Sequence, residues 1–264
     1  MTFQVEDLNI EREGVALHTR ITRPEMNGTT GRKYPAVIMM HGFLGNLGYE
    51  PDSLFAELSD KLVAEGFITV RFDFDGRGES GGERNGFDAY REIEDAMAVL
   101  EYVRNLDEVD EISLLGHSFG GVIAGMTAGL YADVIHTLVL MAPAATAKTD
   151  AQAGHVQNAQ FDPEHVSERL VIPGRDATIS GRFPRVVRML PIYETTSAFE
   201  GQTLCVQGRD DAVVSPHASE EYAKVMPHCE ASFYNDLGHT FIGKDRGEAL
   251  EEIAQFLIAH YTVE

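Results

Sequence analysis

The sequence predicts an α/β protein with a mostly parallel central sheet flanked by helices and carrying an inserted cap. Three observations predict it. From residue 35 onward short apolar runs alternate with amphipathic stretches, the alternation lapses after residue 142 and resumes at 203, and a tight Gly/Ser turn joins one apolar run to the helix after it.

Residues 3–12 and 15–23 alternate apolar and polar side chains about Glu13-Gly14, as an antiparallel hairpin at a sheet edge does. The pattern then changes. Apolar runs at 36–40, 68–72, 112–116 and 137–141 are separated by helical stretches at 51–65, 87–104 and 119–131. A parallel strand covered on both faces has no polar side to show, so it appears as a continuous run rather than as an alternation. Residues 143–202 are too long for a plain connection, and Phe161, Val166, Leu170, Phe183, Leu190 and Tyr193 need a surface to bury against, which makes this stretch a cap. The rhythm returns with a strand at 203–208, a helix at 215–225, a strand at 231–237 and an amphipathic helix at 246–261. The expectation is one domain over 1–264, with the cap at 143–202 inserted before the strand that precedes a carboxylate-bearing turn.

A chain of 264 residues can bury most of its unfolded surface in one core, and 44% hydrophobic with 24% charged residues is an ordinary globular composition. The formal net charge of -21 repels phosphate backbones and anionic lipid, which argues against nucleic-acid and membrane-surface roles. Cys205 and Cys229 have no metal-ligand spacing and are expected as reduced thiols. The acidic start MTFQVEDLNIEREG lacks the basic and apolar regions of a signal peptide, and no apolar run approaches a membrane span, so a cytoplasmic location is expected.

Gly116-His117-Ser118-Phe119-Gly120 fits G-x-S-x-G and lies between the apolar run ISLL and a helix. That position suits a nucleophile. The turn is sharp and closely packed, which is why Gly116, Gly120 and Gly121 surround the serine. A serine hydroxyl needs a base to take its proton, and the base needs an acid to fix its tautomer. In hydrolases built on this turn the acid and then the histidine follow the serine, each after a later strand. Asp210 and Asp211 follow the strand at 203–208, and His239 follows the strand at 231–237. The spacing G-x-x-D-x-x-V, Gly208 to Val214, favours Asp211 and leaves Asp210 to form the turn.

The backbone amide of Phe119, next to the nucleophile at a helix N-terminus, is one expected oxyanion donor, and the amide of Phe43 in the His41-Gly42-Phe43 loop is the other. His41 is expected to be structural. His18, His155, His165 and His260 lie where no chemistry is expected of them. Gly76-Arg77-Gly78-Glu79-Ser80-Gly81 matches G-x-G-x-x-G, but a dinucleotide fingerprint opens its helix at the last glycines, and here the loop runs on past Gly86.

With HGF, DFDGRGES, GHSFGG and GRDDAVVSP in place, the chain resembles the α/β-hydrolase superfamily; through APAAT (142–146) and LPIYE (190–194) it resembles, within it, the bacterial cinnamoyl (feruloyl) esterases. The resemblance implies a serine carboxylic-ester hydrolase that cleaves hydroxycinnamate esters such as methyl ferulate or chlorogenic acid through an acyl-enzyme, without metal or cofactor. It also implies that Asp150, Gln157 and Tyr193 meet the phenolic end of a small aromatic ester substrate. A general short-acyl esterase or acyl-peptide hydrolase stays open as a rival, as does a non-catalytic ligand-binding module on the same scaffold. A homodimer stays open too.

Overall fold

The computed structural model describes residues 3–25, 31–86 and 88–261. The chain begins with the hairpin β1 (Gln4–Arg12) and β2 (Val15–Arg23), whose turn places Glu13 and Gly14 at positive φ, the twist a two-residue hairpin favours. There follow β3 (Tyr34–Met40), α1 (Leu54–Ala64), β4 (Ile68–Phe72), α2 (Ala89–Arg104), β5 (Val109–His117), α3 (Phe119–Leu130) and β6 (Ile135–Met141). The expected start of α2 at Phe87 lies outside the described residues; Asp88 caps that helix, accepting from the Tyr90 amide.

Between β6 and the next sheet strand lie α4 (Ala147–Ala153), the small hairpins β7 (His155–Val156) with β8 (Ala159–Gln160) and β9 (Arg169–Val171) with β10 (Thr178–Ser180), and the short helices α5 (Arg182–Val187) and α6 (Ile192–Thr196). The chain closes with β11 (Gln202–Gly208), α7 (His217–Val225), β12 (Cys229–Tyr234) and α8 (Arg246–Ala259). Strand β12 starts and ends earlier than the sequence pattern suggests. After Tyr234 the chain leaves the sheet, and the Asp236 amide donates to Asp245 as the turn toward His239 begins.

Among the described residues, eight strands form one sheet in the order β1-β2-β4-β3-β5-β6-β11-β12, parallel from β4 to β12 and antiparallel at the β1–β2–β4 edge. Successive residues of a strand face opposite sides, and β3 has apolar company on both. Ala36, Ile38 and Met40 join Ile93, Ala96, Val122 and Ile123 on one side, while Val37 and Met39 join Leu58, Leu62, Leu250 and Ile253 on the other. The cap shares the first of these cores through Leu170, Ile179, Phe183 and Ile192. Arg12 ties the hairpin to the body, donating to Asp95 at 2.7 Å and Asp75 at 2.9 Å.

The glycine-rich loop after β4 folds back on β2 and on acidic side chains. The Gly81 amide donates to Ala16, Ser80 to the Asp73 carbonyl, and a Cβ on Gly78 would overlap the Asp73 carboxylate. No helix opens at these glycines, so the loop lacks the phosphate-binding arrangement. Among the described residues no helix is long and apolar enough to cross a membrane.

Strand order reverses at β3, which has β4 on one side and β5 on the other, although β5 follows β4 in the chain. Loops leaving the C-terminal ends of β3 and β5 therefore diverge from a crevice, the usual place for a ligand in such sheets. Met40 pairs with Gly116, so residues 41–43 and 117–119 lie side by side there.

Candidate active site

Ser118 is the hinge between β5 and α3, at φ 56° and ψ -122°. An L-residue adopts that backbone only where its surroundings enforce it. The Ser118 amide donates to the Met141 carbonyl at 2.8 Å, and its carbonyl accepts from Gly121 and Ala144, each at 3.0 Å. Space is as tight as the bonding. A Cβ on Gly120 would stand 2.2 Å from the Met40 carbonyl oxygen, and one on Gly42 would stand 2.8 Å from the Ser118 Cβ. The loop after β3 is thereby pressed directly against the nucleophile turn.

His239 stands opposite, its Nε2 2.9 Å from the Ser118 Oγ and its Nδ1 2.8 Å from the Asp211 Oδ2. The carboxylate fixes the tautomer: Nδ1–H donates to Asp211 and Nε2 is left to accept from the serine hydroxyl. The Asp211 side chain is fully buried. Its Oδ1 accepts from the Val213 and Val214 amides at 2.8 and 2.9 Å, so only Oδ2 faces the histidine. Burial raises this carboxyl, but the hydrogen bonds from His239, Val214 and Val213 outweigh burial and hold it below its usual range. Asp210 is exposed and has no part in this chain of bonds.

A cavity of about 260 Å³ opens over Ser118. Phe43 and Phe119 wall it beside the serine, and Phe183 of the cap packs on both, with ring centroids 5.4 and 5.1 Å away. Asp150, His155, Gln157, Asn158 and Arg175 bring polar groups to its cap side. Burial raises the Asp150 carboxyl above its usual range against the pull of His155, whose Nε2 lies 3.7 Å away. Gln157 occupies the turn between β7 and β8 at φ 48°, a conformation better suited to glycine or asparagine. Leu44, Ala142 and Phe241 also hold positive φ on the loops after β3, β6 and β12. Non-glycine strain of this kind gathers at ligand sites.

Tyr193 is a correction to the expectation. It does not line the cavity: its hydroxyl donates to the Ala218 carbonyl at 3.3 Å, and its ring packs edge-on against Tyr222, 4.8 Å between centroids. Helix α7 has claimed it. His155, of which no chemistry was expected, does line the cavity, as do Asn158 and Arg175. Nothing in their spacing marked them, because the two small hairpins bring them in.

His41 and His117 are two further histidines near this set. The Nδ1 of His41 donates to the Gly42 carbonyl at 2.9 Å and its Nε2 accepts from the Phe74 amide at 3.2 Å, the structural role expected of it. The Nε2 of His117 donates to the carbonyl of His239 at 2.8 Å, and its ring meets Phe241 edge-on, so it anchors the loop that carries His239. Burial holds both imidazoles neutral, at about 4.

A pH prediction follows for His117. The unfolded chain takes up its proton near 6.5 and the folded one only near 4, so the contribution to stability is whole above 6.5 and is lost as pH falls to 4. Asp95, raised to about 6 by burial, acts oppositely, contributing below 3.8 and losing that contribution as pH rises through 6. Comparing native protein with His117→Gln cancels Asp95. Unfolding free energies from denaturant titrations should fall more steeply in the native protein between pH 6.5 and 4, by up to about 3 kcal/mol; parallel curves would refute it.

A serine, a histidine and a carboxylate bonded in series after successive parallel strands, with the serine on a strained strand-to-helix turn, define a serine hydrolase of the α/β-hydrolase fold. Residues 32–190 match the family described as serine aminopeptidase, S33, and the chain belongs to that family. The match ends before Asp211 and His239, so the relay is assigned from geometry.

In fold the chain is similar to Est1E from Butyrivibrio proteoclasticus, in a structure described as ferulic acid bound, with a TM-score of 0.88, 24% identity, and coverage of 96% of this chain and 98% of that one. In sequence it is 34% identical over 111 residues to an uncharacterized 31.7 kDa protein of the traX-finO intergenic region of Escherichia coli, covering 41% of this chain and 35% of that one. It is 33% identical over 118 residues to the quorum-quenching protein AidA of Acinetobacter baumannii, covering 44% and 36%. The chain thus spans about a third of the length of these curated relatives.

Proposed function

We propose that the protein is a carboxylic-ester hydrolase acting on hydroxycinnamate esters through an acyl-enzyme. Ser118 Oγ attacks the ester carbonyl while His239 Nε2 takes its proton, and Asp211 steadies the imidazolium that results. The Phe43 and Phe119 amides stabilise the oxyanion of the tetrahedral intermediate. His239 then returns the proton to the departing alcohol, and water repeats the sequence to free the acid. No step calls for a metal or cofactor.

The observation that carries the choice of substrate is the cavity itself. Rings of Phe43, Phe119 and Phe183 flank the serine and polar side chains collect at the cap, a layout suited to an aromatic acyl group with a polar far end. The likeness to a fold seen with ferulic acid supports it. The family description favours a second reading, cleavage of aminoacyl amides. A site for a substrate ammonium needs unbalanced negative charge, however, and here Arg175 sets a cation against Asp150, the one carboxylate in the lining.

Turnover of methyl ferulate, methyl caffeate, chlorogenic acid, simple acyl esters and aminoacyl amides, measured side by side, tests the reading; amides outrunning all esters would refute it. Within the esters, Asp150→Ala and Gln157→Ala should each shrink the kcat/KM preference for 4-hydroxylated over unsubstituted cinnamates by about two- to tenfold, the worth of one neutral hydrogen bond. Tyr193→Phe should leave that ratio alone, because its hydroxyl is bound to Ala218. An unchanged ratio in both cap variants would remove the phenol from the reading.

A further inference from the structure

The cavity over Ser118 holds a cation that no step of the reaction uses. Arg175 lines it from the turn between β9 and β10, on the cap side. That turn is well fastened. The Ile172 amide donates to the Ala177 carbonyl at 3.0 Å and the Arg175 amide to the Ile172 carbonyl at 3.1 Å, while Gly174 supplies the positive φ of 78° that so tight a reversal needs. Ile172 and Ile179 bury the hairpin in the core, and the Ser180 amide donates to the Asn85 carbonyl at 3.0 Å. The arginine thus stands on a fixed backbone.

Its side chain is uncommitted. Among the described residues Arg175 makes no ion pair and its guanidinium donates no hydrogen bond, whereas Arg182, Arg185 and Arg188 of the same cap are bound to Asp88, Val166 and Pro163. The groups that pull on the carboxyl of Asp150, the one carboxylate in the lining, are His155 and Thr146 and not Arg175. Burial also pushes that carboxyl toward its neutral form, while a guanidinium keeps its charge at any working pH. The charge facing substrate therefore leans positive, inside a chain of formal net charge -21 whose wider field repels anions. Arg175 is the one Lys or Arg in the lining, so an anion held in this cavity is held by Arg175.

We propose that Arg175 is a specificity-determining residue, selecting esters whose acyl group carries a carboxylate at the end away from the ester bond. The inference rests on the reading above, in which Ser118 cleaves esters with the acyl group in this cavity, and extends it to a substrate class beyond the hydroxycinnamates. A carboxylate presents two coplanar oxygens, which the planar guanidinium meets with two parallel N–H donors, a fit that neither a phenol nor an amide reproduces. The rings of Phe43, Phe119 and Phe183 flank the carbon skeleton. The substrate class is thus the half-ester of an aromatic dicarboxylic acid. Because Arg175 is exposed, solvent screens the pair, and discrimination of about tenfold is expected.

The test compares kcat/KM for methyl 4-carboxycinnamate and methyl 4-carbamoylcinnamate, an uncharged counterpart of nearly the same shape. The native protein should prefer the carboxylate about tenfold, and Arg175→Gln should bring the ratio to about one or below. Arg175→Lys should keep part of the preference, and Arg175→Glu should favour the carbamoyl ester. Thermal midpoints show that each variant is folded. The same two groups moved to the alcohol, as carboxymethyl and carbamoylmethyl cinnamate, should give a ratio that does not depend on residue 175. With methyl cinnamate still cleaved, three results would each overturn the inference and leave the ester-hydrolase reading standing. These are a native protein without the preference, a ratio in Arg175→Gln within about twofold of native, and a dependence on residue 175 that follows the carboxylate onto the alcohol. A preference in Arg175→Lys no greater than in Arg175→Gln would overturn it as well, since charge at residue 175 would then not be what is read. Cleavage of no ester by the native protein would overturn both readings.

Discussion

Ser118→Ala is expected to lower kcat/KM by a factor of about 10^5, equivalent to about 7 kcal/mol of transition-state stabilisation. The expectation follows from the bonding. Ser118 Oγ lies 2.9 Å from His239 Nε2, and without that oxygen the base has no nucleophile to activate. His239→Ala should cost a similar factor. The double variant should be little worse than either, because groups acting as one unit do not lose their effects additively. Residual rate should survive from the oxyanion donors and the rest of the cavity lining. Fold should survive as well: alanine has no side chain beyond the Cβ already accommodated beside Gly42, and the strained backbone is held by Met141, Gly121 and Ala144 through main-chain bonds. The measurement is turnover of an ester by freshly purified variants, with a fluorophosphonate probe reporting whether residue 118 is labelled. Near-native turnover by Ser118→Ala would bring down the whole mechanism. Failure of the probe on the native protein would favour a binding module over an enzyme.

The core of the fold was legible because burial on both faces forces the continuous apolar runs of β3, β4, β5 and β6, and those of β3 and β5 end where residues 41–43 and 117–119 meet. Ser118, Asp211 and His239 were legible for the same reason: the fold fixes their order and their place after named strands, so position selected one histidine among ten. Other features were hidden. Asn158 and Arg175 reach the cavity only through hairpins with two- and three-residue strands, too short to leave a periodic pattern. Tyr193 was misplaced because its motif position says nothing of α7, which supplies both Tyr222 and the Ala218 carbonyl that hold it.

Asp211→Asn is expected to lower kcat by about 10^3 to 10^4, while Asp210→Asn changes it less than about threefold. The difference lies in which atoms face His239. Asp211 spends Oδ1 on the Val213 and Val214 amides, and an asparagine would keep that acceptor in place because the two backbone donors demand an oxygen. Its NH2 then takes the position of Oδ2, 2.8 Å from the His239 Nδ1. Two donors cannot face each other, so His239 moves its proton to Nε2 and presents an N–H to the serine hydroxyl it should deprotonate. The imidazolium of the transition state also loses its counter-charge. Because the turn keeps its backbone bonds, thermal midpoint and substrate binding should change far less than kcat, which separates a tautomer effect from unfolding. Asp210 is exposed and touches neither His239 nor Ser118, so its amide variant has no route to the chemistry. The paired measurement is kcat and KM for one ester together with the thermal midpoint of each variant. Equal losses in the two variants, or a larger loss at Asp210, would show that the orienting carboxylate has been assigned to the wrong residue.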